Sequence, residues 1–130
     1  MAEYGYQWSE TFQTSQDLSQ ALYHGVTWVS QWHVGLASNP ADRNLIGVLQ
    51  NKVPPPISGA PDMSCTVAYH GRSKMVAGGA VSAGSKITVN GSGRAAAVAS
   101  GGMCIGTALE ASSADGNIIS VLLMQPTPWF

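Results

Sequence analysis

Short runs of β-branched and apolar residues, separated by Gly, Pro, Asn and Ser, recur along the whole chain. Val26-Thr27-Trp28-Val29 has the branched and aromatic side chains that suit a pleated, half-buried surface. Cys65-Thr66-Val67-Ala68-Tyr69 alternates more and less apolar positions and stops at His70-Gly71. Lys86-Ile87-Thr88-Val89 alternates too, then meets Asn90-Gly91, a pair that tolerates the positive φ of a tight turn. Ile118-Ile119-Ser120-Val121-Leu122-Leu123 follows Asp115-Gly116-Asn117 and reads as a buried strand. Fifteen glycines and seven prolines leave little room for helix. The pattern predicts at most one short helix, near Ser15–Tyr23, where a Ser or Asp could cap it. The predicted class is all-β, a small β-barrel or β-sandwich-like domain with extended termini.

The strand pattern contains an internal repeat at an offset of 59 positions. Gly25 falls on Gly84, Ala37 on Ala96, and Ile46-Gly47 on Ile105-Gly106. A Gly-led strand, a variable polar stretch and an Ile-Gly-led apolar segment follow in the same order each time, as in a duplicated β unit too small to bury its own apolar face. The copies span about 22–50 and 81–110. Between them lies Lys52-Val53-Pro54-Pro55-Pro56-Ile57-Ser58-Gly59-Ala60-Pro61, an insert that proline makes stiff and extended and that belongs on the surface as a loop.

Both ends carry large aromatics. Tyr4, Tyr6, Trp8 and Phe12 fall on a period of two, which predicts one side of an extended segment. The last six residues, Gln125-Pro126-Thr127-Pro128-Trp129-Phe130, exclude a helix. The organisation read from this is an aromatic arm over 1–16, one β domain over 17–124 and a tail over 125–130. Aromatics at fraying termini need a surface to hold them, either the chain's own core or a neighbour. On the second alternative Tyr4, Tyr6, Trp8, Phe12, Trp129 and Phe130 form the candidate contact set, and removing residues 1–12 should leave the domain folded.

Composition changes the picture in one respect. Charged residues make up only 10 % of the chain, where a typical soluble domain has roughly 25 %. Interface cores exclude charge, so the depletion favours a chain that buries part of its outside against partners. Arg43, Lys52, Arg72, Lys74, Lys86 and Arg94 are scattered and the net charge is −1, so no basic stripe points to nucleic acid. No apolar run approaches the ~20 residues that cross a bilayer, and the N-terminal residues lack the pattern of a secretory signal. Synthesis in a reducing cytoplasm is the expectation, with Cys65 and Cys104 as buried free thiols; a disulfide between them stays open at this stage.

Catalytic chemistry finds no foothold. His24, His33 and His70 stand alone, without a second ligand at metal-binding spacing, and read as turn or surface histidines. Gly71-Arg72-Ser73-Lys74-Met75 lacks the closing glycine of a nucleophile elbow. Gly91-Ser92-Gly93-Arg94-Ala95-Ala96, with Glu110 downstream, imitates a dinucleotide fingerprint, but Arg94–Ser100 is too short for a crossover helix. Asn90-Gly91-Ser92 is formally a glycosylation sequon and reads better as a hairpin turn. The expectation is no enzyme, no metal and no cofactor.

From about Cys65 to Met124 the chain resembles the head decoration, or capsid cement, proteins of tailed bacteriophages. The likeness is carried by Val81 to Val89, Asn90-Gly91-Ser92-Gly93-Arg94, Ile105-Gly106-Thr107-Ala108-Leu109-Glu110 and Ile118 to Leu123. The stretch from Leu22 to Leu49 matches more loosely, and the aromatic arm, the proline insert and Trp129-Phe130 have no counterpart. The resemblance implies a β-barrel-like domain, made in the host bacterial cytoplasm, that binds the outer surface of the expanded capsid. Its partners would be the major capsid protein and further copies of itself, as a trimer or alternatively a dimer, with neither nucleic acid nor membrane. It implies no catalytic residues. The competing expectation is a virion-surface module binding host carbohydrate through Trp8, Trp28 or Trp32, whose flat rings suit sugar faces.

Overall fold

Nine strands form one mixed sheet in the computed structural model, which describes residues 7–130. They are β1 (Gln7–Thr14), β2 (Gly25–Ser30), β3 (His33–Leu36), β4 (Leu45–Leu49), β5 (Met63–Gly78), β6 (Lys86–Val89), β7 (Ala95–Ala97), β8 (Met103–Ala108) and β9 (Asp115–Pro128). No helix occurs among the described residues. The expected helix at Ser15–Tyr23 is a run of turns instead. The Asp17 carboxylate accepts the backbone N–H of Ser19 at 3.0 Å and its hydroxyl at 2.6 Å, a local alternative to helical bonding. Tyr23, at φ 63°, ends any helical path. Leu18 and Ala21 from this stretch are nevertheless buried.

The strand order is β1-β3-β2-β4-β5-β7-β6-β8-β9, and β5 pairs additionally with β1 and with β9. Pairing therefore runs in two circuits, β1-β3-β2-β4-β5 and β5-β7-β6-β8-β9, with the 16-residue β5 common to both. In each circuit the first strand meets the third in parallel, through Gln13 and His33 in one and Ala77 and Ala95 in the other. The other pairings are antiparallel.

Two apolar clusters follow the circuits. One contains Phe12, Leu18, Val26, Val34, Leu49 and Val67, and the other Met75, Ile87, Val89, Ile105, Val121 and Leu123. Neighbouring residues of β4 serve both, since Leu49 belongs to the first and Val48 to the second. A polar link also crosses between the halves. The Arg94 Nε donates to His24 Nε2 at 3.2 Å and its Nη1 to Asp115 at 2.7 Å, while His24 Nδ1 lies 3.0 Å from the Leu22 carbonyl. His24 is thus a buried, hydrogen-bonded residue where a turn or surface histidine was expected.

The proline insert carries no strand, yet Val53 within it is buried in the first cluster while Ile57 points outward. Cys65 and Cys104 are both buried and free. Burial pushes the Cys65 thiol above its ordinary pKa.

Candidate functional site

Residues 7–14 of the supposed arm are strand β1, paired along its length with β5. Phe12 turns inward from it, is only 7 % exposed, and packs in the first core with its ring 5.5 Å from that of Trp32. Burying such a side chain is worth roughly 1.5–3 kcal/mol, enough to hold the strand to its own domain. Phe12 therefore leaves the candidate contact set. Trp8 stays on the surface at 49 % exposure, its ring 4.8 Å from that of His70 and edge-on to Tyr69 at 6.4 Å. Tyr4 and Tyr6 lie outside the described residues.

At the other end the strand outlasts the expected tail boundary, because β9 continues through Pro128. Trp129 is tied down by its backbone, donating to the Gly102 carbonyl at 2.9 Å and accepting from the Gly101 N–H at 2.8 Å. Its side chain is partly exposed and Phe130 is 99 % exposed. Trp8 meets the approach to this end directly, lining a cleft of about 220 Å³ with Ile46, Gln125 and Pro126.

A second aromatic surface was not placed in the contact set by sequence. The hairpin of β2 and β3 carries exposed Trp28, Val29 and Trp32. Trp32 sits at its tip with φ 56°, a conformation unusual for a bulky residue, and its carbonyl accepts the Gln13 N–H at 2.8 Å. Between this hairpin and β1 opens a groove of about 760 Å³ lined by Glu10, Phe12, Gln13, Trp32 and His33. His33 Nε2 pairs with Asp62 at 2.7 Å, and its Nδ1 bonds the Gln31 carbonyl at the same distance. These two bonds raise its pKa, the Gln31 carbonyl first and the Asp62 carboxylate second.

Trp8, Trp28 and Trp32 do not stack with one another among the described residues; Trp8 meets Tyr69 and His70, and Trp32 meets Phe12. No group of three His, Cys, Asp or Glu side chains suited to a metal occurs among the described residues.

Residues 40–123, from just before β4 to within β9, match the phage cement protein family. The chain belongs to that family. Family membership makes it a structural, capsid-associated component of the virion and not an enzyme. The match reaches further toward the N-terminus than the resemblance read from residues 65–124, and takes in the whole second circuit except the end of β9 beyond Leu123. Among solved structures, the crystal structure of the head fiber gp8.5 N base in bacteriophage phi29 has the same fold, with a TM-score of 0.68. The two share 12 % identity over 96 % of this chain and 100 % of that one, so the likeness extends to fold alone. No curated protein matches the sequence.

Proposed function

We propose that this chain binds the outer surface of the assembled phage capsid and cements the expanded head by bridging neighbouring capsid subunits. The carrying observation is the cement-family match over residues 40–123. Its surface supports the reading, because large apolar side chains stand exposed at Trp8, at Trp28, Val29 and Trp32, and at Trp129 and Phe130, on a chain poor in charge. Aromatic anchors set in polar surroundings are what protein interfaces use, and bridging needs at least two such surfaces on one molecule. Many weak contacts on a shell add through avidity, so no single one has to be strong.

In this reading Trp8, Trp129 and Phe130 contact the capsid or a second copy, Tyr4 and Tyr6 extend that contact, and the protein acts as a trimer or dimer. Each pairing circuit is read as a small closed barrel, and the two as copies of one duplicated unit sharing β5. The recurrence of strand order, parallel first-to-third pairing and paired Ile-Gly motifs supports that history. The chain is made in the host cytoplasm and ends on the capsid exterior, away from nucleic acid and membrane.

Cosedimentation with undecorated heads tests this. Saturable binding at a fixed number of copies per head is expected, reduced by Trp8→Ala and by removal of Trp129 and Phe130. Protein left wholly in the supernatant at micromolar concentration would refute the reading.

A further inference from the structure

Cations that are scattered in sequence come together on one face of the second circuit. Residues paired across a sheet project their side chains to the same side. Arg72 pairs with Leu122, Leu122 with Thr107, and Thr107 with Lys86, so one row crosses β5, β9, β8 and β6 on the outside. Lys86 Nζ donates to Thr107 Oγ1 at 2.9 Å, which ties that end of the row together. In the next row Lys74 pairs with Ser120, whose carbonyl accepts the Leu109 N–H at 2.9 Å. Beyond it Val76 pairs with Ile118.

This face therefore holds three of the six basic residues of a chain whose net charge is −1. Leu109, Ile118 and Leu122 stand between them, all about half exposed. The one carboxylate among these rows, Glu110, accepts the Ser120 N–H at 2.6 Å and keeps its charge within reach of Arg72, which it partly offsets. Arg72 and Lys74 also flank a notch of about 270 Å³ whose other walls include Gln7, Tyr23, Gln50 and Ser120. That notch is wide enough for a carboxylate side chain and is lined by polar groups.

We infer that this outer face of β5, β9, β8 and β6 is a docking surface for an acidic protein surface, with partner carboxylates meeting Arg72 and Lys74 and partner apolar groups covering Leu122 and Ile118. The inference rests on the capsid-binding reading and assigns a face to it: the acidic partner is the capsid exterior. Mixed apolar and cationic character selects a protein over a nucleic acid, because leucine and isoleucine gain nothing against a phosphate backbone whose recognition is carried by many charges. The face is also separate from the hairpin of Trp28 and Trp32, as a bridging molecule requires.

The test compares the intact chain with Arg72→Glu/Lys74→Glu, Leu122→Ser and Glu110→Gln in binding to undecorated heads. All four sites are on the surface, so circular dichroism and melting temperature should stay near wild type and report on folding directly. The double charge reversal should weaken binding by about tenfold or more, Leu122→Ser should weaken it less, and Glu110→Gln should tighten it. Wild-type affinity should fall as salt rises from about 50 to 300 mM. A folded double variant that binds heads as tightly as wild type would overturn this face while leaving the capsid-binding reading intact. Wild-type protein that binds no heads would overturn both. Equal wild-type affinity for phosphatidylglycerol vesicles or duplex DNA, lost in the double variant, would overturn the choice of a protein partner.

Discussion

Gly47 and Gly106, 59 positions apart, play the same part in the two circuits: each lets its strand approach the backbone of the next so closely that no side chain fits. A Cβ on Gly47 would run into the carbonyl of Ala68, and one on Gly106 into the carbonyl of Leu122. The obstacles are backbone atoms of β5 and β9, which cannot swing aside as a long side chain could. Gly47→Ala and Gly106→Ala should each cost about 1–3 kcal/mol or more, measured by urea unfolding. Gly91→Ala, which meets open space, should change stability by less than about 0.5 kcal/mol. Equal effects at all three would mean that β4 and β8 are not seated this way.

Phe12 and Trp8 lie on one strand and should behave oppositely. Phe12→Ala empties a buried site and should cost about 3–5 kcal/mol of stability. Trp8→Ala should cost much less in unfolding and register instead in head binding. Deleting residues 1–12 removes most of β1 and should unfold the first circuit, whereas deleting 1–6 spares every residue of that strand. A stable 13–130 fragment would show that β1 is dispensable.

His33 and Asp62 make stability depend on pH in a defined direction. Bonding in the folded state raises the His33 pKa above its ordinary 6.5, so the folded state holds the proton more tightly than the unfolded chain. The contribution is fully present below about pH 6.5 and is lost as pH rises through the raised folded value. Asp62→Asn should narrow the difference in melting temperature between about pH 5.5 and 8.5 that this pair creates. An unchanged difference would show that the pair does not form in solution.

Pro128 protects an open edge. Trp129 directs both backbone groups to the Gly101–Gly102 turn, so by alternation the amide nitrogen of Pro128 faces away from β8. Beyond Leu123, β9 has left β5, and a proline there presents no donor to a passing strand. Pro128→Ala should leave the melting temperature nearly unchanged and increase self-association by light scattering on heating. Identical scattering would show that this edge is covered by other means.

Strand positions were legible because their signals are local. The runs at Val26, Cys65, Lys86 and Ile118 each became part of a strand, and Asn90-Gly91 opens a turn, with the Asn90 side chain accepting the N–H groups of Ser92 and Arg94. The positive φ of that turn falls on Gly93 and on neither of the expected two. The helix at Ser15–Tyr23 was misread because Asp17 serves a turn as readily as a cap. Trp8 and Phe12 keep a period of two in the sequence, but the register of β1 against β5 shifts between Trp8 and Ser9, and Phe12 packs inside while Trp8 stands exposed. The face of Arg72, Lys74 and Lys86 could not be read at all: it is made by registers between strands far apart in the chain.

Capsid cementing is tested most directly by the thermal stability of the heads themselves. Undecorated expanded heads mixed with saturating protein should bind it stoichiometrically and melt at a higher temperature, with the increase diminished by Trp8→Ala. Heads that bind the protein at full occupancy yet melt where bare heads do would contradict a cementing role.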